Sequence, residues 1–200
     1  MTLLIAGMLV TAYVLGAMPT TYLLAPARNG EPGPAFALKA LDRRAHLIVS
    51  LLDAAKGAAA VAWAVALGMP EWGGWAAATA VVGHCYPLWL RFHGGKGVAT
   101  AAGGFGVLAP GPMLAAGLVW WLTSRSPRSA GVAGLTALVA ALTGVLGWGP
   151  ELARAPLAAA AGLLSWRHRN SLRRLFQGRE HPFVMQQSEG RHRGHGRQRV

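Results

Sequence analysis

Apolar runs of about 18 residues recur along this chain, separated by short polar connections. Inside a bilayer every backbone N–H and C=O needs a partner within the chain, so such runs can only be helices that cross or enter the membrane. The 200 residues are 53% hydrophobic and only 13% charged, too few polar groups to cover a soluble helical domain. The sequence therefore predicts an all-α, polytopic membrane protein. One membrane domain is expected over residues 1–176, followed by a basic, disordered cytoplasmic tail over 177–200.

The apolar pieces cover residues 1–24, 46–68, 75–91, 98–108, 113–123, 130–148 and 153–166. Two of them, 98–108 and 113–123, are short for a span of about 20 residues. They read either as two short helices or as one re-entrant hairpin, broken at Ala109-Pro110-Gly111-Pro112. Lys and Arg collect in the connections 25–45, 92–97 and 124–129 and in the tail, whereas 69–74, 109–112 and 147–152 contain none. Placing the basic side in the cytoplasm closes the alternation only if both short pieces cross. The result is about seven transmembrane helices, N-terminus outside and C-terminus cytoplasmic. The first 27 residues hold no Lys or Arg, so the first run lacks the basic start of a signal peptide and is expected to remain a span. Residues 166–176 suggest an amphipathic helix on the membrane surface, with Leu172, Leu175 and Phe176 toward lipid.

The formal charge of +12 is spread over loops and tail rather than gathered on one face, which argues against nucleic acid. Membrane lipids with anionic headgroups and phosphorylated substrates are the expected partners. A single cysteine, Cys85, excludes an intrachain disulfide or a zinc cluster. The few carboxylates show no magnesium-binding spacing, so no metal and no cofactor is expected.

The chemistry concentrates at Gly83–Thr100, GHCYPLWLRFHGGKGVAT. Gly94, Gly95 and Gly97 leave the backbone free to turn N–H groups toward an anion, and Lys96 adds a positive charge there. A nucleotide P-loop is excluded, since Leu90 and Gly97 stand where that motif needs Gly and Ser or Thr. His84 and Arg91 are seven apart, which puts them on one face of a continuous helix. Asp53 and Lys56, three apart on the second span, form either a structural ion pair or the floor of a polar substrate cavity. No serine sits in a nucleophile elbow. What these residues permit is direct displacement on a substrate that arrives activated, such as an acyl phosphate, with the protein clamping phosphate and aligning the attacking hydroxyl.

Several stretches together resemble one family. They are Gly16-Ala-Met-Pro19-Thr-Thr-Tyr22, Asp53-Ala-Ala-Lys56-Gly57, the run from Gly83 to Thr100, and His168-Arg169 with Arg174-Leu175 and Gly178-Arg-Glu180. This pattern is similar to that of the acyl-phosphate:glycerol-3-phosphate acyltransferases, the PlsY family. The resemblance implies a multi-pass enzyme of the bacterial cytoplasmic (inner) membrane. Its expected reaction moves a fatty acyl group from acyl phosphate to the 1-hydroxyl of glycerol 3-phosphate, giving lysophosphatidate and phosphate. Lys96 is then expected to bind the leaving phosphate with help from His168 and Arg169, while Asn29 and Ser171 contact the acceptor. Lys39, Asp53, Lys56, His84, Gly94, Gly95, Gly97, Arg125 and Arg174 complete the expected substrate-binding set.

The departures from the family pattern are concentrated on the acceptor side. Arg28-Asn29-Gly30-Glu31-Pro32-Gly33-Pro34-Ala35-Phe36 replaces a Gly-Ser-Gly-Asn-Pro-Gly-Ala-Thr-Asn block, and Ser171 stands where the family has asparagine. Glu31 brings negative charge toward a dianionic acceptor. Two competing readings follow: a non-catalytic relative that binds acyl phosphate or lipid, and a small transporter organised on Asp53 and Lys56.

Overall fold

The computed structural model describes residues 1–24, 43–124 and 130–176, and among them every regular element is helical. The helices are α1 (Thr2–Ala17), α2 (Thr20–Leu24), α3 (Arg43–Ala66), α4 (Gly73–Cys85), α5 (Val98–Leu108), α6 (Pro110–Ser124), α7 (Ala130–Trp148) and α8 (Glu151–Phe176). Short 3₁₀ turns at Pro70–Trp72 and Leu88–Leu90 flank α4. Two stretches, Thr2–Tyr22 and Arg44–Ala66, are by themselves long and apolar enough to cross a membrane. Val98–Leu108 and Val132–Trp148 are shorter apolar helices.

Helix α4 is the centre of the bundle. It packs against α1, α3, α5 and α8, while α6 lies outside against α7. Its sequence, GGWAAATAVVGHC, is almost all small, and nine of its residues are buried, so no polar face is left. Water cannot drive helices together where the solvent is lipid, so close backbone approach at small residues has to do so. Gly16 of α1 lies against the Ala80 backbone, and Gly83 of α4 against the Tyr13 carbonyl. On the other side of the bundle Gly103 of α5 meets Ala54 of α3. Large apolar side chains are left for the outside: Leu3, Val10, Leu114, Leu118, Trp121 and Val139 are all exposed, as expected of surface that faces lipid tails.

Local chemistry explains where the helices stop. Pro19 disfavours helical geometry at the residue before it, and Met18 accordingly turns to ψ 128°, ending α1. Helix α3 ends in a Schellman motif, with Gly68 at φ 73°, its N–H bonded to the Val65 carbonyl and the Met69 N–H to the Ala64 carbonyl. Met69 and Ala64 share one buried cluster, which supplies the apolar contact that accompanies such a cap.

Three expectations are corrected. The apolar pieces 98–108 and 113–123 are two helices, but the break between them is Ala109 alone (φ −140°, ψ 67°), and Pro110-Gly111-Pro112 opens α6. Proline is tolerated in a first turn, where its missing N–H would have had no helical partner. The third helix stops at Cys85, short of residue 91, because Pro87 cannot continue it; Arg91 and Phe92 then adopt left-handed φ of 49° and 63°. The helical phase therefore does not carry from His84 to Arg91, and they share no helix face. Lastly, residues 166–176 form no separate surface helix but continue α8, whose 26 residues reach about 39 Å, well past a hydrocarbon core of about 30 Å. The expected tail at 177–200 lies outside the described residues.

Replacing Gly103 by Val should force α5 away from α3 and lower stability by about 1–3 kcal/mol. Gly106→Ala, where a Cβ meets nothing within 4 Å, should leave thermal unfolding in detergent unchanged or slightly raised. Equal melting of the Gly103→Val and parent proteins would refute the close-packed α3–α5 contact.

Candidate active site

The end of α1, the middle of α3, the end of α4, the start of α5 and the end of α8 come together around Asp53 and the glycine loop. The break at Pro19 supplies the first piece. It leaves the Met18 carbonyl free of the helix, and that oxygen accepts the Thr20 N–H (2.9 Å) and the Lys56 Nζ (3.2 Å). Lys56 Nζ also lies 2.7 Å from Asp53 Oδ1, and the Thr20 hydroxyl donates to the same oxygen at 2.6 Å. Asp53 and Lys56 are each 7% exposed. His84 Nδ1 stands 3.5 Å from Asp53 Oδ1, an electrostatic contact too long for a strong hydrogen bond.

Of the two readings offered for Asp53 and Lys56, the structural ion pair is formed. The pair ties α3 to the broken end of α1, and Lys56 lines an open cleft with Met18, Pro19, Thr20, His84, Gly94 and Gly95.

The glycine loop forms the next wall, but it uses its glycines differently from the expectation. The Gly94 N–H bonds the Cys85 carbonyl at 3.1 Å and the Gly95 N–H the His84 carbonyl at 3.2 Å. These two donors cap the C-terminus of α4 and are not turned toward an anion. A side chain at Gly94 would run into the His84 carbonyl, and one at Gly95 into the His84 ring, so the loop lies flat on His84 only because both residues are glycine. Gly97, at φ 82°, is the N-cap of α5 and packs on Cys85, Val81 and Leu164. The first turn of α5 then begins directly after Lys96, and its leading N–H groups are of the kind that hold phosphate.

Helix α8 closes the far side. Ala153, Leu157, Ala160, Ala161 and Leu164 form its buried stripe, and the same phase carries inward to Arg167 and His168. His168 is 3% exposed. Its Nδ1 lies 2.8 Å from the Leu164 carbonyl, which can only accept, so this nitrogen carries the proton. The ring's Nε2 faces Gly134 of α7, where a Cβ would stand 3.1 Å away. His168 lies beyond the apolar part of α8. Burial pushes its imidazole below the ordinary histidine range and the charges of Lys96 and Arg167 push the same way, outweighing the Leu164 carbonyl. A neutral ring with Nε2 as acceptor is the resulting form.

Arg169 does not join this site. Its guanidinium bonds the Trp166 carbonyl at 2.9 Å and stacks on the Trp166 ring at 4.4 Å, on the same helix. The residue that reaches the loop is Arg167, which sequence reasoning passed over. The signal was available, because residues 164, 167 and 168 share a helix face and 169 leaves it. Asn29, Lys39 and Arg125 lie outside the described residues, as do the side chains of Ser171 and Arg174. Among the described residues no group of three or more His, Cys, Asp or Glu could hold a metal ion.

The family model for glycerol-3-phosphate acyltransferase matches residues 6–178 of the chain. A glycerol-3-phosphate acyltransferase of Pseudomonas aeruginosa is 37% identical over 185 residues, covering 87% of this chain and 97% of the relative. One from Rubrobacter xylanophilus is 37% identical over 181 residues, covering 86% and 91%. The fold is similar to two crystal structures of PlsY, an integral membrane glycerol 3-phosphate acyltransferase, each 28% identical. The glycerol 3-phosphate form aligns with a TM-score of 0.78 over 90% of this chain and 96% of that one. The lysophosphatidic acid form aligns at 0.80 over 90% and 95%.

Replacing Asp53 by Ala should leave Lys56 as an uncompensated buried cation and destabilise the protein by about 3–5 kcal/mol. The double change Asp53→Asn with Lys56→Met should recover most of that loss in thermal unfolding. Additive losses in the double variant would show that the two side chains do not act as a pair.

Proposed function

The chain belongs to the glycerol-3-phosphate acyltransferase family, and we propose on that premise that acyl phosphate is its donor and that the cleft between the α1 break, the glycine loop and α8 is where transfer occurs. The reaction itself moves a fatty acyl group to the 1-hydroxyl of glycerol 3-phosphate and makes lysophosphatidate for phospholipid synthesis in a membrane. The single observation that supports the site assignment is that the Gly94-Gly95 loop, which leads through Lys96 into α5, lines one cleft with Lys56 and His84 and is bonded to α8 one residue before His168.

In this reading the phosphate of the donor rests on Lys96 and the α5 N-terminus, where charge and oriented N–H groups favour an anion. The glycerol hydroxyl attacks the acyl carbon, the new C–O ester bond forms, and the bond between acyl carbon and phosphate oxygen breaks. Phosphate departs with the bonding pair, and one of its oxygens takes the hydroxyl proton. His168 is assigned by family resemblance to assist Lys96 with the departing phosphate, and Lys56 and His84 supply the polar wall. Ser171, Arg174, Asn29, Lys39 and Arg125 are assigned to the substrates by family resemblance, and Glu31 and Phe36 modify the acceptor side. Seven spans with the N-terminus outside, the C-terminus and the active site cytoplasmic, and residence in the bacterial inner membrane follow from the distribution of Lys and Arg between connections.

Purified protein in lipid, given palmitoyl phosphate and radiolabelled glycerol 3-phosphate, should release labelled lysophosphatidate. Lys96→Met should lower that rate by at least about 10²-fold. A Lys96→Met protein that keeps most of its rate would overturn the phosphate role given to this residue.

A further inference from the structure

The site assigned by resemblance leaves out Arg167, although this side chain reaches from α8 to the glycine loop. Its Nη2 donates to the Gly94 carbonyl at 2.6 Å and to the Gly95 carbonyl at 2.9 Å, and its Nε donates to the Gly95 carbonyl at 3.2 Å. The guanidinium carbon also stands 5.2 Å from the centre of the Tyr86 ring, within cation–π range. Tyr86 is itself tied to α1, because its carbonyl accepts the Tyr13 hydroxyl at 2.7 Å. One partly buried side chain thus joins α8 to the loop and to the end of α4.

The bonds fix the loop in a way that its own sequence cannot. Glycine has no Cβ to restrict φ and ψ, so Gly94-Gly95 would sample many orientations if left unheld. Successive carbonyls of an extended chain tend to point to opposite sides, yet here both point to one guanidinium. Because each peptide is planar and trans, holding its carbonyl sets its N–H on the opposite side. For the Gly94–Gly95 peptide that N–H is the one bonded to the His84 carbonyl. For the Gly95–Lys96 peptide the constraint falls on Lys96, one residue before α5 is capped by Gly97.

Resting on the reading of the active site given above, we infer that Arg167 is a positioning residue for acyl transfer: from α8 it clamps the two peptides that precede Lys96, and so sets the loop against His168. Arginine is required for this, since its planar fork of donors spans two carbonyls at once, which a lysine ammonium does not do with the same geometry. Arg167 acts through the loop and needs no contact with substrate.

Arg167→Gln should lower kcat by about 10²-fold, the scale expected when a reacting group is displaced by about an ångström. KM for glycerol 3-phosphate should stay within about threefold, and thermal unfolding should be little changed. Arg167→Lys should restore only a small part of the rate. A second measurement needs no turnover: hydrogen exchange of the Gly94 and Gly95 amides, in the whole protein in lipid nanodiscs, should quicken by about tenfold or more in Arg167→Gln. The inference is overturned if exchange there is unchanged, if Arg167→Lys matches the parent enzyme, or if the loss of rate merely follows a loss of folded protein. Should the parent protein make no lysophosphatidate from palmitoyl phosphate, the assigned function fails, while the exchange comparison still decides whether Arg167 holds the loop.

Discussion

An aspartate and a lysine placed in a membrane helix must be answered by the rest of the fold, because neither can be left unpaired beside lipid. Asp53 and Lys56 answer each other across one turn of α3, and what remains is met by α1. The Thr20 hydroxyl takes a place on Asp53, and the Met18 carbonyl takes one on Lys56. Both become available only because Pro19 interrupts α1 at that level. A continuous helix would have kept the Met18 carbonyl for its own ladder. The ion pair and the break at Pro19 together therefore account for the docking of α1 on α3 and for a polar site in an otherwise apolar bundle.

Glycine serves two unlike purposes around this centre. In the helices it removes a side chain so that backbones can touch, as where Gly16 meets Ala80 and Gly103 meets Ala54. In the loop it lets the backbone lie on the His84 ring and cap α4, which places Gly97 at the head of α5. The first use holds the scaffold together without help from water. The second carries Lys96 to a defined place on that scaffold. Because the loop is held from α8, the groups assigned to donor and acceptor are positioned by elements that are far apart in the chain.

This arrangement suits a reaction whose substrate is already activated. An acyl phosphate, the donor proposed above, is a mixed anhydride and needs no covalent help from the protein. The resources proposed for it, charge and oriented N–H groups, are what displacement of phosphate by a hydroxyl calls for. The departures from the family pattern at Glu31 and Phe36 fall in the connection before α3, away from these groups in the sequence.

Much of the fold was legible in the residues, because lipid imposes simple rules. Long apolar runs had to be helices, prolines and glycines marked their ends, and Asp53 and Lys56 had to face inward. The glycine loop was legible for a similar reason, since Gly94 and Gly95 leave no room for side chains where the backbone packs on His84. Phase and direction across a break were not legible. Arg91 was separated from His84 by the end of α4 at Cys85, and Pro110-Gly111-Pro112 proved to start a helix. The loop N–H groups went to α4 carbonyls, Arg167 bonded the loop, and Arg169, expected to help with phosphate, lay on Trp166 instead. Each of these depends on which backbone atoms lie nearby once the helices have packed. Composition and spacing along the chain determine what must be buried, whereas the partner that satisfies a buried polar group comes from a distant segment and is decided only by the tertiary structure.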